Sequence, residues 1–289
     1  MEKLHIPVLW KEVLASLAPK PGETYLDLTA GYGGHAKSIL DVTQTYKDSV
    51  LVDRDEFAAE YLKSKFKDTT IINQDFYSSV LQLLECGRTF DLILADFGVS
   101  SPQLDFSERG FSFKDDGPLD MRMDRRQSLK ASDIVNSWSE HNLAEIFVKY
   151  GEETPGHAKL LAREIVHHRP INSTKELANL IAQKSKYSRT HPATRVFQAI
   201  RIVVNGELEQ IEKTLPLLPA LLNKNGRLAI ITFHSLEDRL VKDYFKEASS
   251  HGEESTLTLT TKKPIVADTD ELVINPRARS AKLRVAVRN

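Results

Sequence analysis

The chain has 289 residues, with 39 Lys and Arg against 40 Asp and Glu, and is 41% apolar and 27% charged. Those proportions fit a globular protein and exclude a disordered chain, a collagen and a disulfide scaffold. The single cysteine, Cys86, can form neither an internal disulfide nor a cysteine-based zinc site, which fits a reducing cytosol.

The apolar stretch before Lys11 and Glu12 is too short for a signal-peptide core, and no run approaches the roughly 18 apolar residues of a spanning helix. A cytoplasmic protein without a membrane partner is expected. From Thr24 to Gly98 the sequence alternates regularly. Strands are predicted at Thr24–Thr29, Ser49–Val52, Thr70–Asn73 and Phe90–Ala95. Helices are predicted at Gly34–Thr43, Glu56–Phe66 and Ser78–Cys86. Short apolar strands between helices imply a parallel sheet covered on both faces. Pro102–Asp120 reads as a long loop, Ser132–Lys184 as helical, and a long helix from Pro192 to Asn223 is interrupted by Pro216 and Pro219. Arg227–Phe233 returns to strand character. Ser235 then caps a helix to Lys246, and Ala281–Val287 closes as an edge strand. The fold class is therefore α/β with a mainly parallel sheet and a helical insertion after the fourth strand.

The first turn runs Asp27-Leu-Thr-Ala-Gly31-Tyr-Gly33-Gly34-His35-Ala36. Glycines here allow a tight turn and close approach to a ligand, and Gly31-x-Gly33-x-x-Ala36 satisfies the dinucleotide fingerprint. It departs from a P-loop because Ala36 stands where that motif requires glycine. Asp53 ends the second strand, 20 residues after Gly33, where a carboxylate can accept both ribose hydroxyls. Asp75 follows the third strand and Asp96 ends the fourth, so Asp53, Asp75 and Asp96 should rim one crevice with the glycine loop. Each alone could merely cap the next helix, Asp75 above all. Asp27 would repel a pyrophosphate but suits an ammonium-bearing ligand such as S-adenosylmethionine. That tilts the cofactor away from NAD.

Downstream lie Asp96-Phe-Gly-Val-Ser100-Ser101-Pro102-Gln103, Arg109-Gly-Phe-Ser-Phe113 and Asp116-Gly-Pro-Leu-Asp-Met-Arg-Met-Asp124. They are followed by His191-Pro-Ala-Thr-Arg-Val-Phe-Gln-Ala-Ile-Arg201, Thr232-Phe-His-Ser-Leu-Glu-Asp-Arg239 and Asn275-Pro-Arg-Ala-Arg-Ser280. In this order, and with the opening His5-Ile-Pro-Val-Leu9, these segments resemble the bacterial MraW (RsmH) family. Its members are cytidine N4-methyltransferases of small-subunit ribosomal RNA. The resemblance implies a Rossmann-like class I methyltransferase domain, here residues 1–104 and 208–289, that binds S-adenosylmethionine. It also implies a helical insertion, residues 105–207, that recognises RNA. It carries cofactor contacts to Gly33, Gly34, His35, Asp53, Phe76, Asp96 and Gln103, beside Asp27, Gly31 and Asp75 read from the strand ends. The implied target is a cytidine in the decoding region of 16S ribosomal RNA within the small subunit. A homodimer is left open. Ala95 and Phe97 flank Asp96 where family members commonly carry leucines, and residues 154–157 and 247–274 match weakly.

Methyl transfer to an exocyclic amine is an in-line displacement, and the cytosine amino lone pair is delocalised into the ring. A carboxylate that accepts hydrogen bonds from the amine helps, which suits Asp96 as the catalytic group. Ser100 and Ser101 are candidates for base contacts, or turn formers before Pro102. His35 serves the loop through its backbone, its imidazole packing. His234, Ser235 and Asp238 read as a helix start rather than a hydrolytic triad. Cys86 reads as a buried small side chain. The histidines, His167 and His168 included, lack metal-ligand spacing, so no metal is predicted.

Basic residues gather in two acid-free islands, one with Lys184, Lys186, Arg189, Arg195 and Arg201, the other with Arg277, Arg279, Lys282, Arg284 and Arg288. Such islands can neutralise phosphates, and Tyr187 and Phe197 could stack on bases. A solvated helix face and basic tail would look the same. Two other functions stay open from the residues alone: an NAD-dependent oxidoreductase, and a non-catalytic ribosome-assembly factor.

Overall fold

A computed structural model describes residues 7–185, 191–250, 252 and 255–289. The chain divides into two units, one formed by residues 1–98 and 208–289, the other by Val99–Glu207.

The first unit opens with α1 (Trp10–Leu17), then alternates β1 (Tyr25–Asp27), α2 (Gly34–Thr43), β2 (Val50–Val52), α3 (Glu56–Lys65), β3 (Thr70–Ile72), α4 (Phe76–Glu85) and β4 (Phe90–Asp96). The strands are short because the apolar runs are short. In β4 Leu92, Ile93, Leu94 and Ala95 are all fully buried, as expected for a strand covered on both faces. Asp55 and Asp75 start α3 and α4 as N-caps, accepting from Phe57 N–H and Ser78 N–H. Cys86 is the C-cap residue of α4 and is exposed, not buried: the helix ends one residue before it, so its side chain has left the packed face.

The helical unit carries α5 (Ser101–Asp105), α6 (Ala131–Ser137), α7 (Glu140–Lys149), α8 (Pro155–His167), α9 (Thr174–Gln183) and α10 (Ala193–Asn205). It has its own core, including Ile134, Phe147, Leu161, Ile181 and Ile200. The first boundary lies at Gly98, six residues before the expected one. Val99 and Leu104 pack on this helical core, and α5, capped by Ser100, runs to Asp105 into the segment from Pro102 expected to be loop. The remaining loop is tied down at Asn205. Its side chain accepts from Met123 N–H at 2.8 Å and donates to the Met121 carbonyl at 2.8 Å.

The expected long helix breaks at Gly206, whose φ of 61° is left-handed and caps α10. Then follow α11 (Glu207–Thr214), a 3-10 turn, α12 (Leu218–Leu221), β5 (Leu222–Thr232), α13 (Ser235–Ala248), β6 (Leu257–Leu259), α14 (Thr269–Ile274) and β7 (Lys282–Arg288). The sheet order is β3-β2-β1-β4-β5-β7-β6. Strands β1 to β5 run parallel, whereas β7 is antiparallel to both neighbours. This is the Rossmann-like arrangement the resemblance implies. Strand order reverses between β1 and β4, where open α/β sheets place their ligands. No helix among the described residues is long and apolar enough to cross a membrane.

Candidate active site

The carboxyl ends of β1, β2 and β4 present Asp27, Asp53 and Asp96. Asp27 is 1% exposed and accepts from the Tyr25 hydroxyl at 2.7 Å and Thr29 N–H at 3.1 Å. Burial outweighs both bonds and, with the nearby Asp53 charge, pushes its carboxyl up to about 7. Asp53 accepts from Gly31 N–H at 2.7 Å and Asp55 N–H at 2.8 Å, which locks the glycine loop onto β2. Burial pushes Asp53 up to about 6. The loop itself needs glycine at position 33. Its φ is +77°, and a Cβ there would lie 2.4 Å from the Phe66 ring.

Asp96 is held by its backbone N–H, which donates to Thr29 Oγ1 at 2.5 Å. Its Oδ2 lies 3.9 Å from His35 Nε2, and its Oδ1 is buried without a hydrogen-bond partner. Burial first, then the charges of Asp27 and Glu237, raise this carboxyl well above the ordinary range. Sequence patterning does not single out Glu237. It is fully buried, accepts from Phe233 N–H at 2.7 Å, and pairs with His234 Nε2 at 3.0 Å. Its only sequence signal is a capping box shifted by one residue: His234, not Ser235, caps α13, and Glu237 is its reciprocal partner. Asp238 instead pairs with Lys282 and Arg284 on β7.

The Arg54 charge lowers Asp53 only in part against burial, His35 lies 3.9 Å from Asp96, and Asp96 keeps a bare buried oxygen. Buried carboxylates without a cation are costly. A cationic ligand therefore fits here, and the sulfonium and ammonium of S-adenosylmethionine supply such charges. The raised carboxyls also set a pH dependence. A group whose folded value is raised contributes stability below its ordinary value of 3.8 and loses it as pH rises through about 7, the value for Asp27. The ligand-free Asp27→Asn variant is therefore expected to gain on the wild type, in thermal melts, as pH rises from about 5 to about 7. The gain should grow by about 1.4 kcal/mol for each pH step of one and then level off. A constant gap across that range would mean that Asp27 is already ionised in the folded chain at about pH 5, its carboxyl not raised.

The other expected site residues sort by unit. Asp75 is the N-cap of α4, taking both Ser78 N–H and Ser78 Oγ at 2.9 Å, so helix capping accounts for it. Phe76 stacks on Phe97, ring centroids 5.3 Å apart. In the helical unit Ser100 and Gln103 form a capping box, and Ser101 is buried in the first turn of α5. The Ser100 hydroxyl is thereby taken up as a cap. Among the described residues no group of His, Cys, Asp and Glu could hold a metal ion. A surface groove of about 860 Å³ lies between α7 and α8 and shares no residue with the strand-end carboxylates.

The sequence profile of the MraW methylase family matches residues 2–289. The chain belongs to the MraW methylase family. Ribosomal RNA small subunit methyltransferase H of Gloeothece citriformis is 48% identical over 292 residues, covering 99% of this chain and 94% of that protein. The protein of the same name from Nostoc punctiforme is 48% identical over 286 residues, covering 98% and 93%. The crystal structure of TrmN from Thermus thermophilus is a distant likeness, with a TM-score of 0.45 and 12% identity; it covers 97% of this chain but only 48% of that one. The MraW assignment makes the protein an S-adenosylmethionine-dependent methyltransferase. It also removes the dehydrogenase reading.

The basic islands are more divided than their sequence suggests. Lys186, Tyr187 and Arg189 lie outside the described residues, and Phe197 is buried in the helical core against Phe113 rather than open to a base. Arg201 is not available to a phosphate: it donates twice to Glu207, at 2.9 and 2.8 Å, because the acid lies six positions beyond the island. Lys184 pairs with Glu164 at 2.9 Å. Arg195 is 58% exposed, and Arg277 and Arg279 are exposed on the 3-10 turn before β7. Lys282 and Arg284 are held by Asp238.

Proposed function

We propose that the protein transfers a methyl group from S-adenosylmethionine to the exocyclic N4 of a cytidine in the decoding region of 16S ribosomal RNA. The small ribosomal subunit in the cytoplasm would be the substrate. The observation that carries the chemical part is the unpartnered Oδ1 of Asp96 at the end of β4. The substrate follows from relatives named for the ribosomal RNA of the small subunit and 48% identical over nearly the whole chain.

When bound, the cofactor supplies an electrophilic sulfonium methyl. The protein's part is to hold and orient. Asp53, on a partly exposed strand end, accepts the ribose hydroxyls, Asp27 faces the amino-acid ammonium, and Gly31, Gly33, Gly34 and His35 shape the loop. Phe76 covers the adenine side, and Gln103 belongs to the set by family resemblance. Asp96 would accept a hydrogen bond from the cytosine amine, drawing its lone pair out of conjugation, and take its proton as the N–CH3 bond forms, the S–CH3 bond breaking to leave a neutral thioether. Positioning supplies much of the rate. Ser100 caps α5, and Asp96 is the group placed to serve the amine. Arg195 in the helical unit and, in the other unit, Arg277 and Arg279 each offer an exposed positive charge to RNA phosphates. Nucleoside mass spectrometry of 16S ribosomal RNA from cells with and without the gene tests this. One N4-methylated cytidine should be lost, and an unchanged decoding region would contradict it.

A further inference from the structure

His35 enters the family pattern as part of the glycine loop, where a backbone contact would suffice. Its side chain does more in this structure. The imidazole is 9% exposed and points across the crevice from the first turn of α2, with Nε2 at 3.9 Å from Asp96 Oδ2. The other ionisable groups facing Asp96 are all acidic or able to become so. Asp27 and Tyr25 come from β1, and Glu237, itself paired with His234, comes from α13. The charges of Asp27 and Glu237 disfavour a charge on Asp96, whereas a protonated His35 would favour it.

We infer that His35 is a positioning residue for Asp96: its imidazole, beside Oδ2 but beyond hydrogen-bond distance, favours the ionised carboxylate by charge when protonated and leaves Oδ1 to face the amine. This rests on the reading that Asp96 serves the amine. The two oxygens then have separate tasks. Oδ2 faces the imidazole, and Oδ1, which has no protein partner, is left for the substrate. Without the imidazole, Asp96 keeps its acidic neighbours and holds its proton to higher pH. The acceptor then disappears at neutral pH although the carboxyl group is still present.

The test is kcat against pH for His35→Gln, measured as methyl incorporation into small ribosomal subunits at saturating S-adenosylmethionine. Glutamine keeps the backbone contact and a polar side chain but cannot ionise. The acid limb should move to higher pH by about one, so that kcat falls roughly tenfold at neutral pH and recovers in alkali. S-adenosylmethionine affinity by calorimetry should change little. His35→Asn is run beside it and should give the same displacement. An unmoved limb in a folded variant would overturn the inference, as would weaker cofactor binding with full kcat at saturation. A parallel Asp96→Asn variant separates the two readings. If Asp96→Asn alone leaves kcat intact, the role of Asp96 fails. If it lowers kcat while His35→Gln does not, only the role of His35 fails.

Discussion

Replacing Asp96 by alanine should lower kcat by about 10²–10⁴-fold, the range typical of a positioned group that handles a proton in the transition state. S-adenosylmethionine should still bind, because the glycine loop stays fastened by Asp53 to Gly31 N–H at 2.7 Å. The effect belongs in kcat for a physical reason. The amine becomes a good nucleophile only when its lone pair leaves the ring, and an acceptor is strongest for the amine as positive charge develops on nitrogen. The interaction is therefore worth more in the transition state than in the ground state. Of the strand-end acids Asp27, Asp53 and Asp96, it is Asp96 that has, among the described residues, a buried oxygen lacking a hydrogen-bond partner. Single-turnover methyl transfer with calorimetry of cofactor binding separates the steps. A kcat near that of the wild type would remove Asp96 from the chemistry.

Charge reversal at Arg189, Arg195 and Arg277 should weaken binding of the RNA substrate on the order of a hundredfold at low salt. It should also flatten the dependence of log K on log salt by about two to three, close to one per lost phosphate contact. Cofactor affinity should not change, since none of these arginines belongs to the strand-end set. Binding isotherms at several salt concentrations give both quantities. A uniform loss of cofactor and RNA binding would indicate misfolding. An unchanged salt slope would mean that these side chains only solvate the surface. Arg201 is left out because its guanidinium is already bidentate to Glu207, and reversing it would break a buried pair rather than a phosphate contact.

Much of the α/β unit was legible in the sequence because its strands are short, apolar and closed by acids. Phe90–Asp96 is nearly continuous in apolar residues, and the pattern there needs no tertiary context. The three-residue strand β6 was not legible: Leu257–Leu259 offers one fully buried residue, and it forms only because β7 provides an edge. Boundaries inside helical runs were also hidden. Gly206 stops α10 by adopting a left-handed φ, which a helical periodicity does not announce. The site divides along the same lines. Asp27, Asp53 and Asp96 follow from the rule that ligands sit at strand ends, whereas Glu237 and the His35 imidazole reach Asp96 only through the fold. Charge islands are the weakest inference, because an acid a few residues away in sequence can close on them, as Glu207 does, or one from another element, as Asp238 does. The formal charge of −1 therefore hides two separate balances: acids raised by burial at the strand ends, and bases partly neutralised by acids elsewhere.

The most direct test of the account is methyl incorporation by the purified protein, using small ribosomal subunits from cells lacking the gene. S-adenosylmethionine with a labelled methyl group is the donor, and the product nucleoside is identified by mass spectrometry. The account predicts label at N4 of a single cytidine of 16S ribosomal RNA, abolished by Asp96→Ala. Label on another atom, or tight cofactor binding with no label in the RNA, would contradict it, the second result pointing to an assembly factor.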